Sequence, residues 1–402
     1  MLLSMYSILW FPSCLAIVFA LASTPVFRFA DTAPTYTKER NGTIDGLRGI
    51  LALGVFFHHV AVYAKYLQTG IWTVTPDRFY FNLGPAGVSV FFMITGYLFW
   101  MQMLSAKGRP DLVRLYISRV FRIVPLYTVL AVVVFTIAGI ETGWTRRVDS
   151  VSLLIEILRW LSGGLFVSGS VNGFVLAAAM VTWTLQYEWF FYFSLSITRI
   201  FARNTVMAGF FTSLSLLVSL AILSTLRDQV SVFVAMFSVG MVVATGQFAK
   251  LADPLKLPGW AQSAIATAAV VYALLSVPAY SISSIICLGI FFAYVARGAT
   301  LFGLLTTRPA KRLGDVSYGL YLLQGPVLFL AYSLPVSKAL SAASPLGHWT
   351  VAALSACALV AIATLSHAYV ERPAIEFGRG VWRRVSSSEW PVAFAREAAP
   401  VE

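Results

Sequence analysis

The sequence predicts an all-α protein, a polytopic transmembrane helix bundle of about eleven spans, and three observations carry that prediction. Of 402 residues, 58% are hydrophobic and only 11% charged, at a mean hydropathy of +0.79, too little polar surface to coat a soluble globule of this length. Apolar runs of roughly 20 residues, the length that crosses a bilayer, recur along the whole chain. The basic residues behind the net charge of +12 fall mainly in alternate loops between those runs.

The first run, residues 3–27, carries no charge before Arg28, whereas a cleaved signal peptide opens on a basic segment, so it is predicted to span. Spans follow at 44–64, 84–104 and 123–140. The next apolar stretch, 151–168, "VSLLIEILRWLSGGLFVS", contains Glu156 and Arg159 and breaks at Gly163-Gly164, which places it along the membrane surface. The remaining spans are predicted at 182–201, 205–226, 230–249, 261–278, 280–296, 316–336 and 349–370. A short tail, 378–402, closes what reads as a single membrane domain.

The positive-inside rule tests this division. With the N-terminus outside, the inner loops hold Arg28, Lys38 and Arg40, then Lys107, Arg109, Arg114, Arg119 and Arg122, and basic clusters around 199–203, 250–256, 297–312 and 372–396. The outer loops hold Lys65, Arg78, Arg146, Arg147, Arg159, Arg227 and Lys338, a roughly threefold inner excess. The C-terminus is therefore expected in the cytoplasm, and the basic balance requires no nucleic acid. Cys14, Cys287 and Cys357 lie far apart in apolar runs, without the spacing of a disulfide framework or a zinc site, and no metal is expected. The chain shows no P-loop, G-x-S-x-G or paired-histidine motif.

Charged groups at membrane depth cost about 2.5–3.5 kcal/mol each at the centre of a span and therefore tend to line functional cavities. In "DGLRGILALGVFFHHV", residues 45–60, Arg48 and His59 are eleven residues apart. Eleven residues turn a helix through about 1100°, which leaves the two within about 20° of one face and roughly 16 Å apart along the axis. Asp45 shares that stripe, whereas His58 points about 80° away and reads as a packing residue. The plain reading of His59 is a satisfied core histidine; with Arg48 on its face, a general base becomes the better reading.

Glu188, in "VTWTLQYEWFFYF", is the second ionisable group inside a span. Its plain reading is a lone carboxyl kept neutral in the core; the functional reading is a group that orients a histidine or binds a polar acceptor. Arg119 and Arg122, in "YISRVFRIVPLY", are one turn apart ahead of Pro125, and serve either as topology anchors or as a grip on phosphate. Gly96 and Thr95, in "GVSVFFMITGYLFW", read first as a close helix contact and second as part of a channel.

These pieces, in this order from about residue 43 to 377, resemble acyltransferase family 3, integral membrane proteins that transfer acyl groups, usually acetyl from acetyl-CoA, to sugars and other exported molecules. The most specific element is Asp45-Gly46-Leu47-Arg48 followed by His59. "FFMITGYL" is similar to the family's Phe-Phe-x-x-Ser-Gly-Phe, with Thr95 for serine, and Arg119, Arg122 and Pro125 match its arginine-pair element. "WTLQYEWFFY" brings Trp183 and Glu188 into register. "VSYGLYLLQ" supplies Ser317, Tyr318 and Tyr321, with Gln324 where histidine is common, and "YVERP" supplies Glu371.

The resemblance implies a transfer in which Arg48, Arg119 and Arg122 meet the phosphates of a cytoplasmic acyl-CoA. His59 then deprotonates the acceptor hydroxyl or carries the acyl group, with Glu188 orienting the imidazole or the acceptor. Acetyl-CoA is a donor substrate, not a resident cofactor, and the acceptor is expected to be a lipid-linked or exported glycan such as O-antigen or exopolysaccharide, at a bacterial inner membrane. Two departures bear on this. The family core is commonly ten spans, so 3–27 is extra, and no hydrolase-like domain of the kind some relatives carry follows the last element. The membrane domain therefore acylates its acceptor itself, or a separate extracytoplasmic protein does. The rival reading is a transporter or flippase using the same polar residues as a proton relay, although no inverted repeat is visible.

Overall fold

The computed structural model describes residues 4–30, 42–167, 169–175, 181–247 and 256–387. Lys38, Arg40, Lys250, Arg396 and the tail from residue 388 onward lie outside the described residues. The described residues form helices and no strand, apart from one isolated bridge between Val171 and Phe174. The helices run α1 Trp10–Ser23, α2 Gly42–Thr69, α3 Arg78–Ser105, α4 Leu112–Glu141, α5 Ser150–Leu161 and α6 Trp183–Thr198. They continue with α7 Thr205–Leu226, α8 Gln229–Ala244, α9 Gly259–Leu275, α10 Ile282–Ala296, α11 Arg308–Asp315, α12 Ser317–Ser333, α13 Pro335–Ala343, α14 Pro345–Ser366 and α15 Arg372–Ser387.

Each predicted span overlaps one of these helices. Four of them, α2, α3, α4 and α7, together with the rod Pro345–Ser386, are long and apolar enough to cross a bilayer, so the protein is a multi-pass membrane protein. The pair α12 and α13, bent by 83° at the Leu334-Pro335 break, meets the same test as one broken span. Helices α1, α8, α9 and α10 are apolar but shorter. Carboxylates, scarce in this chain, are used at helix starts: Asp77, Asp111 and Asp228 each accept a hydrogen bond from the amide three residues on.

The first span is shorter than 3–27, because the chain turns extended at Thr24 ahead of Pro25. It is nonetheless part of the core. Trp10 stacks on Trp349 at 6.1 Å, the Trp349 indole donates to the Met5 carbonyl, and the buried Arg312 donates to the carbonyls of Ala22 and Thr24, where a cation complements the end of a helix. In helix α5, within the predicted surface stretch 151–168, Val151, Leu154, Leu158 and Leu161 are exposed, while Glu156 accepts from Ser170 and from the Asn172 amide.

Two glycine crossings set the bundle's geometry. On α3 and α8, a Cβ at Gly96 would lie 2.2 Å from the Phe237 carbonyl oxygen, and one at Gly240 would lie 2.0 Å from that of Met93. No other residue fits this approach, so Gly96 is first a packing residue. Where α2 meets α11 and the 3-10 turn Leu304–Thr306 ahead of it, a Cβ at Gly46 would meet the Leu305 carbonyl oxygen at 2.0 Å, one at Gly49 the Leu313 Cβ at 2.5 Å, and one at Gly314 the Asp45 carbonyl oxygen at 1.8 Å. The two glycines that flank Leu47-Arg48 thereby bring the α11–α12 junction against the start of α2.

Candidate functional site

That second crossing positions a cavity of about 220 Å³ among α2, α3, α4, α6 and α12. Its charged lining is Arg48, Arg119, Arg122 and Glu188, and its hydroxyls come from Thr95, Thr184, Tyr192, Ser317, Tyr318 and Tyr321; Phe91, Phe92 and Phe99 form an apolar wall. Residues scattered over some 270 positions of sequence are thus assembled by five helices, from a single residue of α2 to about three turns of α3.

Glu188 is the negative centre. Its Oε2 accepts from the Tyr192 hydroxyl at 2.8 Å, one turn along α6, and the guanidiniums of Arg119, Arg48 and Arg122 all lie in its electrostatic range. Arg119 also sits over the Phe99 ring at 5.0 Å, an aromatic face that holds a cation without neutralising it. Helix α12 is tied to α4 by the Tyr318 hydroxyl, which donates to the Ile123 carbonyl at 2.9 Å. Tyr321 is held at Thr184, 3.0 Å away, and donates to the Val181 carbonyl. The site therefore offers three cations and one carboxylate in a pocket walled by aromatic rings, suited to a phosphorylated or otherwise anionic ligand with an apolar arm.

His59 does not line this cavity. It is partly buried one helical turn past it: Tyr321 is the last lining residue on α12, and three residues on, Gln324 places its Oε1 at 3.1 Å from His59 Nδ1. The Gln324 Nε2 donates to the Tyr321 carbonyl at 2.7 Å, and a carbonyl only accepts, so the amide oxygen must face the imidazole. His59 Nδ1 then carries the proton and Nε2 is the basic nitrogen. The side chain that orients His59 is Gln324, whereas Glu188 is bonded to Tyr192. Glu188 and His59, on different helices, are thus served by different partners.

His58 packs as its position on the helix implies, donating from Nδ1 to the Tyr80 carbonyl at 2.9 Å and facing Gly84 so closely that a Cβ there would strike its ring. Of the other residues singled out in the sequence, Thr95, Ser317, Tyr318 and Tyr321 line the cavity and three do not. Asp45 lies in the first turn of α2 against α11. Trp183 packs on Phe233 and Tyr187 in an aromatic cluster. Glu371 is buried in the π-helical turn His367–Glu371, 3.7 Å from His367 Nδ1.

The sequence reading missed Tyr192 and Thr184, although both lie one turn from Glu188 on its own helix and the i±4 spacing points to them. Phe99 carried no signal, because its role depends on Arg119 being brought over its ring from another helix.

A family model described as an acyltransferase domain matches residues 41–366, and no curated protein and no solved structure matches the chain.

Proposed function

Because the chain belongs to acyltransferase family 3, we propose that this membrane acyltransferase is an O-acetyltransferase that moves an acetyl group from cytoplasmic acetyl-CoA to a hydroxyl of an exported or cell-surface glycan. The observation that carries the reading is the cavity in which Arg48, Arg119 and Arg122 gather around Glu188 beneath the His59–Gln324 pair. The arginines receive the donor's phosphates. The acyl end passes Tyr321 toward His59, and the acceptor arrives from the opposite, outer side.

In the transfer step, His59 Nε2 takes the proton of the acceptor hydroxyl while that oxygen attacks the thioester carbonyl. The C–S bond breaks, the CoA thiolate leaves, and the imidazolium returns its proton to the sulfur. Glu188, held by Tyr192, balances the charge of the cations in the absence of donor. The chain is read as eleven spans at a bacterial inner membrane, with the N-terminus outside and the C-terminus in the cytoplasm, and with O-antigen, exopolysaccharide or a similar lipid-linked glycan as acceptor.

The test is acetyl transfer from labelled acetyl-CoA in membranes containing the wild type, Arg48→Ala, His59→Ala and Glu188→Gln. Loss of transfer in all three, about 100-fold or more for the base, is expected. Wild-type rates in Arg48→Ala and His59→Ala would overturn the mechanism, and glycan export without any new ester would favour a transporter.

A further inference from the structure

The cavity of about 220 Å³ is smaller than the roughly 300–1,000 Å³ of sites that hold drug-sized ligands, and a whole acyl-CoA does not fit in it. A second recess of about 330 Å³ adjoins it between α4 and α15, and Arg119 and Arg122 line both. The other charged residues of the recess are Arg114 on α4 and Arg379 and Arg383 on α15; among the described residues no carboxylate lines it. Five guanidiniums facing one space repel one another, and a ligand carrying several phosphate charges relieves that repulsion.

Helix α15 is built to face this recess. Ile375, Gly378, Arg379, Trp382 and Arg383 follow the spacing of a single helical face, and all five line it. The helix is locked to α4 at both ends of that face: a Cβ at Gly378 would lie 2.8 Å from Phe121, the Trp382 indole donates to Asp111 Oδ2 at 2.8 Å, and Arg114 stacks on the Trp382 ring at 4.7 Å. α15 also lies beyond the residues matched by the family model.

We propose that α15 and the first turns of α4 form the seat of the donor's nucleotide end, a phosphorylated adenosine, with Arg119 and Arg122 handing the chain on into the inner cavity. This rests on the acyltransferase reading above. The competing source of the same chemistry is an anionic lipid headgroup. A recess that shares Arg119 and Arg122 with the inner cavity, and whose large apolar lining is limited to Ile117, Ile375 and the Trp382 ring, favours the soluble nucleotide.

The experiment uses the purified full-length protein in nanodiscs of zwitterionic lipid, with Arg379→Gln/Arg383→Gln and the milder Arg383→Lys. Two quantities are measured: the preference for acetyl-CoA over S-acetylpantetheine, which lacks the nucleotide, and direct binding of adenosine 3′,5′-bisphosphate. The wild type is expected to bind the bisphosphate, and the double variant to lose about 10- to 100-fold in both the binding and the donor preference, the size of one or two charged hydrogen bonds. Arg383→Lys is expected to fall between the two. An unchanged preference, an equal fall with both donors, or a defect cured by phosphatidylglycerol in the disc would each overturn the proposal. Bisphosphate binding without acetyl transfer from either donor would instead retain the site and refute the acetyltransferase reading.

Discussion

At the level of single residues, one amide decides which nitrogen of His59 is basic. Gln324 cannot exchange a proton, but it is fixed at one end by the Tyr321 carbonyl and presents its oxygen to Nδ1 at the other. Gln324→Leu is expected to lower the kcat of acetyl transfer roughly fivefold while leaving the KM for acetyl-CoA in place, since a lost oriented hydrogen bond is worth about 1 kcal/mol; an unchanged kcat would show that the pair does not orient the base. Tyr192→Phe removes the donor to Glu188 and is expected to cost about tenfold in kcat/KM, measurable in the same assay. His58→Ala, in contrast, is expected to lower thermal stability but keep transfer, because the ring serves the α2–α3 contact; equal loss of transfer at positions 58 and 59 would refute the separation of their roles. Arg48, Glu188 and His59 were legible as residues because a charged or titratable group inside an apolar run is costly enough to need a reason. Their partners were not: Gln324 lies 265 residues from His59, and nothing local marks that distance as a contact.

At the level of helices, close approach governs. Gly240→Leu puts a side chain into the Met93 backbone of α3 and is expected to abolish the folded, monodisperse protein seen by size-exclusion chromatography in detergent, a cost beyond the roughly 1–3 kcal/mol of ordinary overpacking. Gly259→Ala, at a position with open space around it, is expected to elute as the wild type. Recovery of normal folding by Gly240→Leu would mean that α3 and α8 do not cross as described. Helix existence and order were readable from hydropathy. Helix ends were less so: α1 stops early at a proline, and the last span runs on through a π turn into α15, because packing against α4 supports a helix whose own composition is polar.

At the level of the whole molecule, orientation is the property to measure. In a cysteine-free background, Lys338→Cys is expected to react with an impermeant thiol reagent in intact cells, and Arg109→Cys only after the membrane is opened; both side chains are exposed. The reverse pattern would invert the topology and with it the side from which the donor enters.

The sequence by itself determined the solvent in which this chain folds, the order of its helices, and the short set of polar groups buried among them, because each follows from hydropathy and charge counted along the chain. The tertiary structure alone decided which of those groups share a space. It placed Arg48, Arg119, Arg122 and Glu188 around one cavity, set His59 a turn beyond it under Gln324, and left Asp45, Trp183 and Glu371 outside the lining. Such meetings depend on how closely two backbones approach at a few glycines, and the energy of that approach belongs to pairs of helices, not to any one of them.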